Sequence, residues 1–321
     1  MFTVPIVIRL RPIPTSPTSP SLQTSPLVDA DEASHREAIG LVGLGLMGSA
    51  MAERFLARGF DVVGFDIDPD CRSAFLGRGG RTGDSVVQLA ASCRRIVLSL
   101  PNSEVVQTVL EELEPHLRLG QVILDTTTGC PEVAVAAGHR LAGHGVDYVE
   151  GTISGNSHQV RRGDVLVIAS GSAAGIMRCD DLFACFASKV HRVGDWGSAS
   201  KLKLVSNLVL GLNRAVLAEG LAFAGSLGLD PEQTLAVLRD SMGYSRVMDT
   251  KGDKMISGDF EPQARLSQHL KDVCLILNAA ARSQARLPLS EVHQRLLQQA
   301  ESRGFGALDN SAIIRVFEQE A

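Results

Sequence analysis

The stretch Ile39-Gly40-Leu41-Val42-Gly43-Leu44-Gly45-Leu46-Met47-Gly48 decides the fold. Ile39 to Val42 is a short apolar run suited to a buried parallel strand, and Gly43, Gly45 and Gly48 follow it in G-x-G-x-x-G spacing. In such a turn the first glycine permits the tight reversal, the second lets the backbone approach a pyrophosphate, and the third allows the next helix to pack closely on the strand. Met51, Phe55 and Leu56 recur at helical spacing, so the sequence predicts a helix over Ser49 to Ala57, with Gly59 as its stop signal. A second strand over Asp61 to Phe65 then delivers Asp66, 21 positions after Gly45, where a carboxylate can accept hydrogen bonds from a ribose 2′-hydroxyl. A lone glycine turn is weak support for a dinucleotide site. Strand before, helix after and acid at the end of the second strand together make it one. Asp66 favours NAD, because it would repel a 2′-phosphate and no arginine directly follows it. Arg72, six residues on, keeps NADP open if the loop from Ile67 to Cys71 folds back.

Working outward, the glycine-rich connector Gly77 to Gly83 has room for a very short strand, and Ser85 to Ser92 reads as a brief capped helix. Arg95 to Leu100 is a buried strand stopped by Pro101-Asn102, Glu104 to Leu113 an amphipathic helix, and Gln121 to Thr127 a strand running into Thr128. A helix over Pro131 to Ala142 follows, then strands over Val146 to Val149, Asp164 to Ala169 and, at an edge, Val190 to Val193. This alternation predicts an α/β, Rossmann-type doubly wound parallel sheet, whose ligand lies beyond the C-terminal ends of the strands. Gly45, Asp66, Leu100-Pro101, Thr127-Thr128 and the loop after Val149 then surround one crevice.

From Gly197 onward strand patterns vanish. Lys201 to Leu227 is a long apolar-periodic run, followed by helical patterns over Pro231 to Leu238, Gln263 to Ala285, Leu289 to Arg303 and Ser311 to Gln319. The chain therefore reads as an extension over residues 1–37, a dinucleotide-binding domain over 38–196 and an all-helical C-terminal domain over 197–321. The extension is rich in Pro, Ser and Thr and is expected to be disordered. Its Arg9 and Arg11 leave organelle import open as an alternative to a plain cytoplasmic extension.

The 321 residues suffice for two domains, and 45% hydrophobic with 21% charged residues suits a globular protein. A formal net charge of −5 argues against a nucleic-acid partner, and no run reads as a membrane span. The six cysteines are scattered without C-x-x-C, which suggests reduced thiols in a cytosol-like compartment. His139 and His144 are not at helix-face spacing, so no metal pair is expected.

Within the long helix, Lys203 and Asn207 share one face beside an apolar stripe through Leu204, Leu208 and Leu212. Lys201 fits a snorkelling surface lysine. Lys203 reads as a general acid/base, because burial and a nearby cationic nicotinamide both lower a lysine's pKa.

At these residues the chain resembles the β-hydroxyacid dehydrogenases, the group of 3-hydroxyisobutyrate dehydrogenase, tartronate semialdehyde reductase, L-threonate dehydrogenase and, more distantly, 6-phosphogluconate dehydrogenase. The resemblance runs from about Ala38 to Phe317. It rests on Gly43 to Gly48, including Leu46 and Met47, and on Gly194-x-x-Gly197-x-Ala199-x-x-x-Lys203-x-x-x-Asn207, where alanine replaces the family's third glycine. Lys271-Asp272 and Asp309-x-Ser311-Ala312 complete it. The resemblance implies an oxidoreductase moving a hydride between NAD, or NADP, and a small carboxylated β-hydroxy compound. In it Lys203 would exchange the proton and Asn207 would orient the substrate. Thr127 and Thr128 would stand beside the nicotinamide ribose, Leu100 and Pro101 would wall the cofactor, and Lys271 would help position nicotinamide and substrate. Where the family has D-A-P-V-S-G-G, this chain has Glu150-Gly151-Thr152-Ile153-Ser154-Gly155-Asn156. Ser154 and Gly155 can still hold a carboxylate. Asn156 reads either as a contact to a more hydroxylated substrate or as a solvated loop residue. Imine reduction and a non-catalytic scaffold role are the alternatives, and Lys203 with Asn207 counts against both. A homodimer or homotetramer is expected, because the long apolar helix needs more cover than the residues after it provide.

Overall fold

The computed structural model describes residues 37–318. The expected extension over residues 1–37 therefore lies almost wholly outside the described residues. The first part alternates strand and helix: β1 (Ile39–Val42), α1 (Leu46–Ala57), β2 (Val62–Phe65), α2 (Pro69–Leu76), β3 (Arg81–Thr82), α3 (Val86–Ser92), β4 (Arg95–Leu98), α4 (Ser103–Leu113), β5 (Val122–Asp125), α5 (Pro131–Gly143) and β6 (Asp147–Ser154). It closes with α6 (Ser157–Arg162), β7 (Val165–Gly171), α7 (Ala173–Met177), α8 (Asp180–Phe186) and β8 (Ala187–Arg192).

These strands form one eight-stranded sheet in the order β3-β2-β1-β4-β5-β6-β7-β8. Ile39 pairs in parallel with Val62 on one side and Arg95 on the other, so the strand order reverses at β1 and β4. That reversal opens the crevice in which doubly wound sheets bind ligands. Helices cover both faces, which is why β1 and β5 are buried at every position. Ile39 and Leu41 pack with Phe55, Leu124 and Phe186 on one face, while Val42 packs with Leu89, Ile96 and Leu110 on the other.

The last two strands depart from the expected all-parallel sheet, because β8 pairs in parallel with a reversed β7. β7 runs antiparallel to β6, with Val149 opposite Gly171 and Ser154 opposite Leu166. The connection holds only the short α6, and a parallel crossover needs a dozen or more residues.

The second part is helical: α9 (Ser198–Ser226), α10 (Pro231–Asp240), α11 (Arg246–Ser257), α12 (Leu266–Ser283) and α13 (Pro288–Ala300), ending in a 3-10 turn over Asn310–Val316. The expected α-helix over Ser311 to Gln319 is thus a tighter and shorter turn. α11 has no counterpart in the sequence reading. Its buried positions are Val247, Met248, Lys251, Gly252 and Met255, so a charge and a glycine interrupt the apolar period.

α9 is, against the reading of the sequence, long and apolar enough by length and composition to cross a membrane. It buries Lys203, Asn207 and Arg214 on one face and packs on α5, β6 and β7 at one end and on α10 to α13 along its length, while its opposite face is exposed. Its start is fixed by Glu150 from β6. That buried carboxylate accepts hydrogen bonds from the Gly197 and Ser200 amides and from the Ser170 and Ser200 hydroxyls. Gly197, at φ +84°, offers no side-chain cap, so the acid satisfies the free amides of the helix end instead. Ala199 can replace a glycine because it lies inside this helix, where its amide donates to the Ser170 hydroxyl at 3.1 Å.

Candidate active site between sheet and helices

The glycine turn has the conformation that its spacing predicts. Gly43 sits at φ +93°, and a Cβ there would meet the Ser99 carbonyl at 2.3 Å. A Cβ at Gly48 would meet the Gly43 carbonyl at 1.9 Å, whereas one at Gly45 would meet no atom of the chain within 4 Å. Gly45 caps α1 without a side chain, so the amides of Leu46 and Met47 face outward from a helix N-terminus, a ready anion seat. Asp66 is oriented beside them. Its carboxylate accepts from the Leu44 amide at 2.6 Å and the Asp68 amide at 2.9 Å. These residues fit a dinucleotide: a close approach at Gly45 for the pyrophosphate and an acid for the ribose. The segment from Ile67 to Cys71 is not a free loop, because α2 begins at Pro69 under an Asp68 cap. Arg72 from that helix donates to the Asp66 and Ile67 carbonyls, which holds its guanidinium on the backbone.

Along the crevice, the Leu100 amide donates to the Thr127 hydroxyl at 3.2 Å, and the Thr127 amide donates to Asp125 at 2.8 Å. Asp125 also accepts from the Tyr148 hydroxyl at 2.7 Å. Burial pushes its carboxyl up to about 6 despite those donors. Sequence reasoning saw Asp125 only as the end of a strand.

The helical part is fastened to these loops by α12. The Lys271 ammonium donates to the Pro101 carbonyl at 3.0 Å and the Thr128 carbonyl at 2.7 Å, and it pairs with Asp272 at 3.1 Å. The Gln268 amide nitrogen adds a second bond to the Pro101 carbonyl, at 3.0 Å. Asp272 in turn accepts from the Asn207 amide at 2.9 Å. A continuous polar chain therefore runs from the loops after β4 and β5 through Lys271 and Asp272 to Asn207. Lys203 lies one helical turn away on the same face of α9.

Lys203 is only 5% exposed. Burial lowers its pKa to about 8; Asp272 opposes the shift, and Lys271 and Arg214 add to it. Near neutrality such a lysine can both give and take a proton. The structure thus brings together Lys203, Asn207, Lys271, Pro101 and Thr128.

It gives Asn156 a different task from the substrate contact considered above. Its side-chain oxygen caps α6 by accepting from the Gln159 amide at 2.9 Å, and its nitrogen donates to Gln263 at 3.2 Å, so both polar ends are engaged within the chain. The Asn-x-x-Gln capping box was the signal for this. Ser154 and Gly155 precede it at the end of β6.

Residues 38–194 match a family model described as the NAD binding domain of 6-phosphogluconate dehydrogenase. Residues 197–317 match one described as the NAD-binding region of NADP-dependent 3-hydroxyisobutyrate dehydrogenase. The chain is 31% identical over 285 residues to 2-(hydroxymethyl)glutarate dehydrogenase of Eubacterium barkeri, covering 88% of this chain and 95% of that one. It is 29% identical over 283 residues to L-threonate dehydrogenase of Cupriavidus necator, covering 87% and 95% respectively. A crystal structure of 3-hydroxyisobutyrate dehydrogenase from Salmonella typhimurium is similar with a TM-score of 0.80 at 25% identity, covering 87% of this chain and 99% of that one. Fold, site and relatives define a nicotinamide-dependent oxidoreductase made of a Rossmann sheet and a helical bundle. The chain belongs to the β-hydroxyacid dehydrogenase family, whose members move a hydride between NAD(P) and the hydroxyl-bearing carbon of a small carboxylated substrate.

Proposed function

We propose that this enzyme oxidises a β-hydroxy acid reversibly with Lys203 as the general acid/base and NAD as the preferred cofactor. The observation that carries this reading is the buried Lys203, with a pKa of about 8, on the α9 face that Asn207, Asp272 and Lys271 link to the cofactor loops. NAD supplies the hydride acceptor. Lys203 removes the hydroxyl proton while Asn207, held by Asp272, orients the substrate. The Ser154 hydroxyl and Gly155 amide hold the substrate carboxylate, Leu100 and Pro101 wall the cofactor, and Thr127 and Thr128 flank its ribose. Lys271 acts as the clasp between the cofactor loops and α12, so it positions the nicotinamide side of the site through Pro101 and Thr128. The division into a cofactor domain over 38–196 and a helical domain over 197–321 belongs to the same reading, with the reaction at their junction. Lys203 and Asn207 together weigh against imine reduction and against a scaffold role.

The test is a panel of β-hydroxy acids (3-hydroxyisobutyrate, serine, glycerate, threonate and 2-(hydroxymethyl)glutarate) offered with NAD and NADP and read by absorbance of the reduced nicotinamide. Oxidation of a member of the panel supports the reading; silence across it with demonstrable NAD binding overturns it. Because Lys203 must be neutral to accept a proton, kcat/KM for oxidation should rise as pH increases through about 8. The reverse reduction needs the protonated lysine and should fall over the same range. A flat profile in both directions would remove Lys203 from this role. NAD should be preferred over NADP by about 100-fold in kcat/KM, the size of a like-charge clash of a few kcal/mol. Asp66→Ser should shrink that ratio by at least about ten-fold, mainly through KM.

We also infer a homo-oligomer. Leu202, Val209, Val216 and Phe223 are exposed at seven-residue spacing along α9, a row suited to a second copy of the chain. The free cysteines support a cytoplasmic setting.

A further inference from the structure

The same face of α9 carries one more charged residue, three turns beyond Lys203. Lys203, Asn207, Gly211 and Arg214 follow at spacings of four, four and three, and all are buried. Arg214 is 3% exposed, and its Nε and Nη1 are buried without a hydrogen-bond partner. Two imidazoles from other helices meet beside it, His269 of α12 and His293 of α13, with ring centroids 5.2 Å apart. The Nε2 atom of each is also buried without a partner. Both rings press against Gly211, where a Cβ would meet His269 Nε2 at 2.4 Å and His293 Cε1 at 2.7 Å. Gly211 thus makes room for the two imidazoles rather than for a side chain of its own.

The nearby carboxylates already have other partners. Asp272 accepts from Asn207 through Oδ2 and faces the Lys271 ammonium through Oδ1, which has no hydrogen-bond donor of its own, and Asp309 is held by Lys251. Burial keeps both imidazoles well below the ordinary histidine range, His293 at about 4, so they are neutral. The guanidinium keeps its charge at neutral pH even though burial lowers its pKa to about 10. The cluster therefore carries one positive charge and several free polar atoms. Asp309 and Asp272 act on the guanidinium through space and favour its charge, but neither forms a hydrogen bond to Nε or Nη1, so two donors of a buried cation are left without an acceptor. An apolar residue would fill the same space and leave no donor unpaired.

We propose that Arg214, flanked by His269 and His293, receives a second carboxylate on the substrate, so that the enzyme acts on a β-hydroxy diacid. This rests on the reading of Lys203 as the base. Arg214 lies on the Lys203 face, close enough for its charge to lower the lysine's pKa. A single guanidinium between neutral imidazoles matches a carboxylate better than a dianionic phosphate. Its planar fork suits bidentate pairing with such an acid.

The experiment compares two β-hydroxy acids of equal chain length, one ending in a carboxylate and one in a methyl group, with wild type and Arg214→Met. Wild type should favour the diacid by about 30-fold or more in kcat/KM. Compared at a pH well above the Lys203 titration, where the lysine is neutral with or without the Arg214 charge, the diacid should lose about 100-fold in the variant, mostly in KM, while the monoacid stays within about three-fold. Glutarate, but not butyrate, should compete with the monoacid in wild type and cease to do so in the variant. Equal loss for both acids, or no diacid preference in wild type, overturns the proposal and leaves the Lys203 reading intact. Should Arg214→Met fail to fold, the wild-type acid pair and the glutarate-against-butyrate competition decide alone. Should neither acid be oxidised, the Lys203 reading has failed for these substrates. The anion site then stands or falls on whether glutarate raises the unfolding midpoint of the NAD-loaded wild type more than butyrate does.

Discussion

Lys203→Ala will lower kcat by about 10²–10⁴-fold, the range a positioned general acid/base supplies, and will leave the affinity for NAD within about two-fold. The two effects separate because the residues lie on different elements. Gly43, Gly45 and Asp66 are carried by β1, α1 and β2, whereas α9 touches the sheet at β6 and β7. Removing a buried ammonium does not orphan a partner, because Asp272 keeps its bond to Asn207 and its pair with Lys271. The variant should therefore fold, and circular dichroism together with an NAD titration would establish that. Lys203→Arg sharpens the test. A guanidinium keeps the charge but cannot give up its proton near neutrality, so oxidation should remain almost as slow as in the alanine variant. Near-normal turnover in either variant would place the base elsewhere.

Asp309→Asn should destabilise the protein by about 3–5 kcal/mol, the cost of leaving a buried charge unpaired. Asp309 is fully buried, and its carboxylate receives the Lys251 ammonium at 2.8 and 2.9 Å. It also accepts from the amides of Gln263, Ala264 and Ser311 and from the Ser311 hydroxyl. The Asp-x-Ser-Ala signature is thus a structural knot rather than part of the chemistry. It ties α11 to the segment before α12, and through Gln263 to Asn156 and Ser157 behind the proposed carboxylate loop. Urea denaturation would measure the loss. The double variant with Lys251→Met should lose less than the sum of the singles, because it buries no unpaired charge. Burial opposes ionisation of Asp309, but Lys251 and the surrounding donors outweigh it and hold the carboxyl below the ordinary range. A carboxylate with a depressed folded pKa stabilises fully above its unfolded value near 4, and loses that contribution as pH falls through the folded value. The wild-type advantage over the variant should therefore shrink in acid.

The parts of this site that were legible in the sequence are those written in local spacing. Gly43, Gly45 and Gly48 need only a strand before and a helix after to be read, and Lys203 and Asn207 need only a helix. Glu150 and Lys251 were not legible, because each has its meaning through residues distant in sequence. Glu150 finds its partners at Gly197 and Ser200, and Lys251 finds its partner at Asp309. The orientation of β7 was hidden for a different reason. Apolar runs do not state their direction, and only the short connection through α6 rules out a parallel return. Arg214 did carry a signal that could have been read: a charge three turns after Lys203, inside the buried stripe of the same helix.

In the proposed reaction the hydride passes directly from a carbinol carbon to the nicotinamide, and the hydroxyl proton leaves through Lys203. The most direct test uses the best substrate of the panel, deuterated at the carbinol carbon, with NAD and the wild-type protein, followed by mass analysis of the reduced cofactor. Deuterium is expected in the reduced nicotinamide, with none released to solvent. Deuterium found in water, with an unlabelled reduced cofactor, would contradict direct transfer.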